Sequence, residues 1–234
     1  MKALWFSGGK DSTATLLLLR EQLKDIYVLF CNTGRSYPEY LKTLDYAKSI
    51  SPNFIEVKSV REGQWKKHGY PSDMVPVDWT LDGQRIHTQK PVMIQSYIQC
   101  CWENITIPLW KKTKELGCDI VIRGQRNDEV RRSPGRHGDT LDGVTFEHPI
   151  EHWTRDDVLD YLKEQLGELT DNMFLQSSSM DCYDCTAYSE ISEDRAKYMK
   201  AKFPEMYGEY IQGVRQVYEA MSVPMKHYQR ILEA

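Results

Sequence analysis

The chain has 234 residues, 41% of them hydrophobic and 27% charged, with 14 glycines and 10 prolines. That make-up excludes disordered, fibrous and collagen-like classes, and at about 150 residues per domain it fits one compact domain with an appendage. Thirty basic against 34 acidic side chains leave a net charge of −4, too balanced for a non-specific polyanion binder, although a local basic cluster can still grip phosphate or sulfate. The longest strictly aliphatic run, Leu16 to Leu19, is far below the ~20 apolar residues of a bilayer span. The apolar stretch after Lys2 is too short for a signal-peptide core. A cytoplasmic protein without a membrane partner is expected.

Ala3 to Phe6 is an apolar run ending in Ser7-Gly8-Gly9, and Thr13 to Lys24, with leucines at 16, 17, 18, 19 and 23, reads as a buried crossover helix. Ile26 to Cys31 is a second strand opening onto Asn32-Thr33-Gly34, followed by a helix from Tyr37 to Ser49 entered through Pro38. Phe54 to Val57 and Cys118 to Arg123 read as third and fourth strands, with a helix from about Val92 to Leu116 between them. Residues 60 to 90, with Trp65, Pro71, Pro76, Trp79 and Gly83, show no period and read as an irregular excursion. Arg123 to Val144 is a long polar connection of the kind that carries function or stays disordered. Thr154 caps a helix to Leu166 with Asp156 and Asp157 in its first turn, and Ile191 to Ala220 is mostly helical and amphipathic. The βαβα order predicts an α/β fold, a parallel sheet with helices on both faces and a helical C-terminal tail. The expected division is a nucleotide-binding domain over 1–188 and a helical extension over 189–234.

Ser7-Gly8-Gly9-Lys10-Asp11-Ser12 falls between the first strand and its helix, where backbone N–H groups and the positive helix end converge on an anion. Glycines let the main chain approach phosphate oxygens, the serine hydroxyls donate, and Lys10 neutralises charge on a departing pyrophosphate. Asp11 is suited to hold Mg²⁺. The spacing is not that of a Walker A loop, and a plain tight turn would need only the glycines. The hexapeptide resembles the loop of the PP-loop ATP pyrophosphatase superfamily, which cleaves ATP between the α and β phosphates; the resemblance makes Lys10 and Asp11 catalytic.

Within that superfamily the chain resembles the phosphoadenosine phosphosulfate (PAPS) reductase family from about residue 3 to 186. Asn32-Thr33-Gly34-Arg35-Ser36-Tyr37-Pro38-Glu39 is similar to the family's nucleotide-lining segment, with Asn where Asp is usual. Gly124-Gln125-Arg126-Asn127-Asp128-Glu129 and His148-Pro149-Ile150-Glu151-His152-Trp153-Thr154 resemble two further family segments. The resemblance implies an adenine nucleotide alpha hydrolase-like fold, and nucleotide contacts from Ser7 to Ser12, Asn32, Thr33, Gly34, Gly124 and Arg126. Arg123, Arg126, Arg131, Arg132 and Arg136 form a local basic cluster that could clamp phosphate, sulfate or a nucleic-acid backbone, with a solvated mobile loop as the bland alternative for the later arginines. Arg126 is the strongest of them because it follows a strand's C-terminal end. Trp153 reads as a packing residue.

Six cysteines stand at 31, 100, 101, 118, 182 and 185. Cys31 and Cys118 border apolar strands and read as core thiols. Cys100-Cys101 and Cys182-x-x-Cys185 are two thiol pairs, suited to zinc or to an iron–sulfur cluster, with buried unligated thiols as the bland reading. Their order resembles the signature by which adenosine phosphosulfate (APS) reductases, and the ATP pyrophosphatases of DNA phosphorothioation, bind a 4Fe-4S cluster. Zinc is the less suited metal because vicinal cysteines are awkward around one small ion.

No cysteine follows Cys185, so the reductases' C-terminal nucleophilic thiol has no counterpart in the sequence. The complete loop with a cluster resembles instead enzymes that activate an acceptor with ATP and deliver sulfur to it. The expected reaction turns ATP into AMP and pyrophosphate by adenylating an acceptor oxygen, after which sulfur delivered through the cluster displaces AMP, as in DNA phosphorothioation or tRNA thiolation. The expected partners are ATP, a cysteine desulfurase as sulfur donor, nucleic acid brought by other subunits, and a second copy in a homodimer. An APS or PAPS reductase and a non-catalytic nucleotide-binding cluster subunit are the alternatives.

Overall fold

The computed structural model describes residues 1–74, 94–129, 135–167, 182–188 and 192–234. The expected features at Pro76, Trp79, Gly83, Val92, Arg131, Arg132 and Ile191 lie outside the described residues. The chain forms two compact units, Met1–Ser59 with Ile105–Asp181, and Val60–Asn104 with Cys182–Ala234. The C-terminal helices therefore group with residues 60–104.

The first unit is built on a sheet of β1 (Lys2–Trp5), β2 (Ile26–Asn32), β3 (Phe54–Lys58), β6 (Ile120–Ile122), β7 (Thr140–Leu141) and β8 (Val144–Glu147), in the order β3-β2-β1-β6-β8-β7. All pairings are parallel except β7 with β8. Successive residues point to opposite faces, so each strand feeds two cores. Leu4, Val28 and Phe30 meet Leu16 and Leu23 on one face together with Leu44 and Ala47 of α2 (Pro38–Ile50). Ala3, Leu29, Cys31 and Val57 meet Leu109 and Cys118 on the other. Helices on both faces of a mostly parallel sheet are what the sequence leads one to expect. Cys31 and Cys118 are core thiols, and burial pushes the Cys31 thiol up to about 12.

The expected first helix is shorter and tighter than its leucines suggest: α1 spans Lys10–Leu18 and gives way to a 3₁₀ stretch, Arg20–Asp25. Residues Ser12 through Leu17 are all buried, so α1 has no solvent stripe and hydrophobic periodicity could not bound it. Thr154 and Asp157 form a capping box at the start of α6 (Arg155–Leu166), the device the sequence announces. β8 sits at the end of a segment that reads as polar connection; only Val144 and Phe146 of its four residues are buried, too short an alternation to register.

The second unit holds α3 (Arg61–His68), a parallel pair β4 (Tyr70–Ser72) and β5 (Ile94–Ser96), and α4 (Tyr97–Cys101), with α7 (Ser192–Lys202) and α8 (Pro204–Leu232). The helix expected from about residue 92 thus begins at Tyr97, where the Ser96 side chain accepts the Ile98 N–H as its N-cap. A wider π turn, Trp102–Thr106, joins α4 to α5 (Ile107–Glu115). Pro108 has no N–H and its ring would strike the carbonyl one turn back, a clash that the wider turn relieves. Ile94, Val217 and Ala220 form this unit's small core, with Tyr70 and Met221 packed against it. α3 contradicts the reading of residues 60 onward as irregular: only Trp65 among its eight residues is strongly apolar, so it has no periodic signature.

Candidate nucleotide and cysteine sites

In the sheet order the chain runs outward from β1 through β2 to β3 and then returns to β1's other side with β6. Such a reversal opens a crevice beyond the strands' C-terminal ends, the ligand position of open α/β sheets. Ser7–Ser12 follows β1, Asn32 ends β2 with Thr33 and Gly34 just beyond it, and Gly124–Arg126 follows β6, so three predicted segments line this one edge. Gly8 adopts φ +83°, a conformation that side chains disfavour. Gly9 is the N-cap of α1 and contributes no side-chain cap, which leaves the first-turn N–H groups available to an anion. The Ser7 and Ser12 hydroxyls lie 3.0 Å apart, and Ser7 Oγ accepts the Gly9 N–H at 3.3 Å, so the hydroxyls shape the bend. Gly124 is required by contact: a Cβ there would lie 2.5 Å from the Asp11 carbonyl carbon and 2.8 Å from the Ser12 nitrogen.

Charge converges on Asp11. Lys10 Nζ lies 2.5 Å from Asp11 Oδ2. The Arg126 guanidinium donates to Asp11 Oδ1 through Nη1 and to Asp128 Oδ1 through Nε, the latter at 2.8 Å. Burial alone would lower the Arg126 pKa, but the charges of Asp11, Asp128 and Glu129 prevail and hold it above the usual arginine value. Glu129 is pushed up to about 7 by burial and by the Asp11 carboxylate, against the pull of Arg126 and Lys10. Lys10 and Arg126, paired here with Asp11 and Asp128, stand beside a helix start that has no side-chain cap, a donor set of the kind that meets polyphosphate oxygens and the charge of a leaving group.

The predicted positions differ in what they touch. Asn32 spends its side chain on structure, accepting the Gly34 N–H at 2.7 Å and donating to Glu56 at 2.7 Å. Thr33 Oγ1 accepts the Arg35 N–H at 3.3 Å. Of the basic cluster, Arg126 reaches the loop. Arg123 instead is buried with its guanidinium 5.2 Å from the Trp5 ring and 5.1 Å from the Phe146 ring, and burial lowers it to about 10, so it is a packing cation. Arg136 is exposed. Trp153 packs edge-on against Tyr161, as expected. Tyr40 was not foreseen: its ring lies 4.0 Å from where a Gly8 Cβ would stand, so a buried aromatic floors the glycine turn.

All four paired cysteines fall in the second unit. The Cys185 N–H donates to the Cys182 carbonyl at 3.0 Å and closes the C-x-x-C turn. Asp184 inside that turn pairs with Arg61 at 2.6 Å, and Arg195 donates to the Cys185 carbonyl at 2.7 Å. Arg61 also stacks 3.6 Å above the Trp65 ring. Trp65 Nε1–H points at Cys100 Sγ at 3.2 Å and Asn104 Nδ2 at 3.5 Å. Burial raises the Cys100 thiol to about 11 while these donors and Arg61 oppose it and the Cys185 charge adds to it. The Cys185 thiol is likewise raised by burial, with Arg195 and Arg61 opposing. Nothing in the spacing of the thiols pointed to Trp65, Arg61 or Arg195; Asp184 alone carried a hint, lying between the two cysteines.

The residue types of this set are those that bind a cluster, four sulfurs in one unit with N–H donors aimed at one of them, while the arginines oppose but do not overcome the burial that keeps the Cys100 and Cys185 thiols raised. Among the described residues, no three His, Cys, Asp or Glu side chains are gathered closely enough to enclose a metal ion. Among the same residues, no helix is long and apolar enough to cross a membrane.

Comparison with known proteins places the chain. Among solved structures it is similar to the PAPS reductase of Candida auris in its phosphate complex, with 18% identity and a TM-score of 0.45 over 69% of this chain and 72% of that one. A 4-thiouridine synthetase–RNA complex with bound ATP aligns at 13% identity and TM-score 0.44, over 92% of this chain and 53% of the other. The FMN adenylyltransferase of Candida glabrata in complex with ATP aligns at 14% identity and TM-score 0.33, over 69% and 45%. The chain spans about half the length of the last two. No curated protein matches it. The profile of the phosphoadenosine phosphosulfate reductase domain matches residues 2–188 of 234, and the chain therefore belongs to the PAPS reductase family.

Proposed function

We propose that the protein is an ATP pyrophosphatase that adenylates an acceptor for sulfur transfer in nucleic-acid thiolation, of the kind found in DNA phosphorothioation. The observation that carries this reading is the complete loop, Ser7 to Ser12, at an uncapped helix start with Lys10, Asp11 and Arg126 converging on it. A nucleotide that already carries its sulfate has no pyrophosphate to place there, whereas ATP does. An acceptor oxygen attacks the α-phosphorus and the bond to the β-phosphate oxygen breaks. The negative charge that gathers on pyrophosphate is met by first-turn N–H groups, Lys10 and Arg126. Asp11 would hold the Mg²⁺ that accompanies ATP, freeing both cations for the phosphates.

Cys100, Cys101, Cys182 and Cys185 would hold a 4Fe-4S cluster, which supplies sulfur-handling or redox chemistry. A cysteine desulfurase fits as sulfur donor, and the chain's near-neutral charge suits nucleic acid presented by partner subunits. Family membership supports a second reading, an APS or PAPS reductase with its thiol supplied from elsewhere. Anaerobically purified protein incubated in parallel with ATP, APS and PAPS separates the two. Release of AMP and pyrophosphate from ATP, with acceptor and sulfur donor present, supports the first; sulfite from either sulfonucleotide with a thiol reductant, and no pyrophosphate from ATP, replaces it with the second.

A further inference from the structure

The buried stripe of α2 runs past the core it serves. Tyr40, Leu44 and Ala47 are its buried residues, spaced so that they share one face of the helix. Leu44 and Ala47 pack with Leu4, Val28 and Phe30 against the sheet. Tyr40 lies one turn, about 6 Å, nearer the helix start. Because α2 begins just beyond the C-terminal end of β2, that first turn stands at the sheet edge from which the glycine loop emerges. The Tyr40 ring is 3% exposed and meets the loop at both of its ends. A Cβ on Gly8 would stand 4.0 Å from Tyr40 Cγ, and one on Gly9 would stand 3.9 Å from the Tyr40 hydroxyl oxygen. The long axis of the ring therefore runs beneath the Gly8–Gly9 peptide. Tyr37, wholly buried, sets its ring edge-on to Tyr40 at 6.4 Å, and its carbonyl accepts the Tyr40 N–H at 3.0 Å, so the supporting ring is itself held.

Two adjacent glycines have the greatest conformational freedom a chain can offer, and Gly8 is held at φ +83°, one of several conformations open to it. A loop that must find its anion-binding form at the moment of binding loses affinity to that ordering, and a loop held from below does not. Ser7 Oγ accepts the Gly9 N–H and Ser12 Oγ donates to the Gly9 carbonyl at 3.1 Å, which fixes Gly9 from within the loop. The ring extends that support to Gly8. We infer that Tyr40 is a positioning residue of the ATP site: its ring, packed under Gly8 and Gly9, holds the bend in the form whose N–H groups meet the pyrophosphate part of ATP. This role rests on the reading of residues 7–12 given above, and it acts through the main chain of the loop.

The test compares Tyr40→Leu and Tyr40→Met, which fill the stripe without a flat ring, with Tyr40→Phe, which keeps the ring, and with Leu44→Ala, which opens the same stripe one turn further from the loop. In ligand-free protein, amide hydrogen exchange over residues 7–13, taken relative to that of β2, should be about ten-fold faster in the first two variants and unchanged in Tyr40→Phe and Leu44→Ala. Calorimetric titration with magnesium pyrophosphate should show about ten-fold weaker binding by the first two variants only. Loop exchange in Tyr40→Leu and Tyr40→Met that matches Leu44→Ala overturns the inference. So does a Tyr40→Phe variant as impaired as those two, which would move the role from the ring to the hydroxyl. Wild-type protein that binds no magnesium pyrophosphate overturns instead the reaction proposed above, and the exchange comparison still decides whether Tyr40 holds the bend.

Discussion

The glycine loop at residues 7–12 and the cysteine module are put together by opposite means. In the loop, six consecutive residues at a strand–helix junction do the work, and the chain's own main-chain geometry aims the N–H groups. The cysteine module draws its four sulfurs from two distant segments, and side chains from α3, the π turn and α7 hold them: Trp65, Asn104 and Arg195. A motif whose geometry is local is rigid once its strand and helix form. A motif assembled from distant pieces depends on every buried partner, so the two should break differently under mutation.

The largest expected effects are on the chemistry of the loop. Lys10→Ala and Asp11→Ala should each lower pyrophosphate release by about 100-fold or more; Asp11→Ala should also lower the melting temperature, because it takes a carboxylate from the buried Arg126 guanidinium. Preserved turnover in either variant would remove the loop from the reaction. In the cysteine module, Cys→Ser at 100, 101, 182 or 185 should abolish the brown colour and bound iron of an anaerobic preparation, whereas Cys31→Ser, in the sheet core, should keep both; equal iron in all five would dissolve the quartet.

Gly124→Ala probes where the loop's local geometry becomes tertiary. Its methyl would press on the main chain of Asp11 and Ser12, which cannot swing away, so a loss of about 2–3 kcal/mol in denaturant unfolding and weakened ATP binding are expected. An unchanged midpoint would mean that β6 can retreat from α1. The matching probe in the cysteine module is Trp65→Phe, which keeps a ring beneath Arg61 but removes the N–H aimed at Cys100; about 1 kcal/mol of stability should be lost.

The smallest effects are on pH dependence. Glu129 is held near 7 against a usual 4.5, so the folded protein binds a proton that the unfolded chain releases. Its contribution to stability is therefore full below pH 4.5 and lost as pH rises to about 7. Above that pH a new negative charge stands beside Asp11, and phosphate affinity should weaken; Glu129→Gln should flatten the ATP-binding profile across this window. His148, after β8, has the opposite sign. Burial and the Arg123 charge lower it to about 4, so the unfolded chain takes the proton first and stability falls as pH drops from 6.5 to about 4. His148→Gln should flatten that acid limb in denaturant titrations at fixed temperature.

Much of the first unit was legible because its signals are local. β1, β2 and β3 are apolar runs between turn residues, Thr154 announces its helix, and a glycine turn between strand and helix has few uses. The four-residue β8 and the aperiodic α3 were not legible, because neither is long enough, or regular enough in hydrophobicity, to show a period. The basic stretch was legible as charge but not as role: Arg126 turns to Asp11 while Arg123, three residues earlier at the end of the same strand, is wedged between Trp5 and Phe146.

By itself, the sequence determined the α/β class, the place of the glycine turn between β1 and α1 and the identity of the core thiols, since each follows from neighbours within a few residues. Only the tertiary structure decided that Gly124 must touch Asp11, that Tyr40 lies under Gly8, that Trp65 and Arg61 guard Cys100, and that the C-terminal helices join residues 60–104 in one unit. Those facts are contacts between segments far apart in the chain. Their energy comes from packing and desolvation that exist only once the chain has folded.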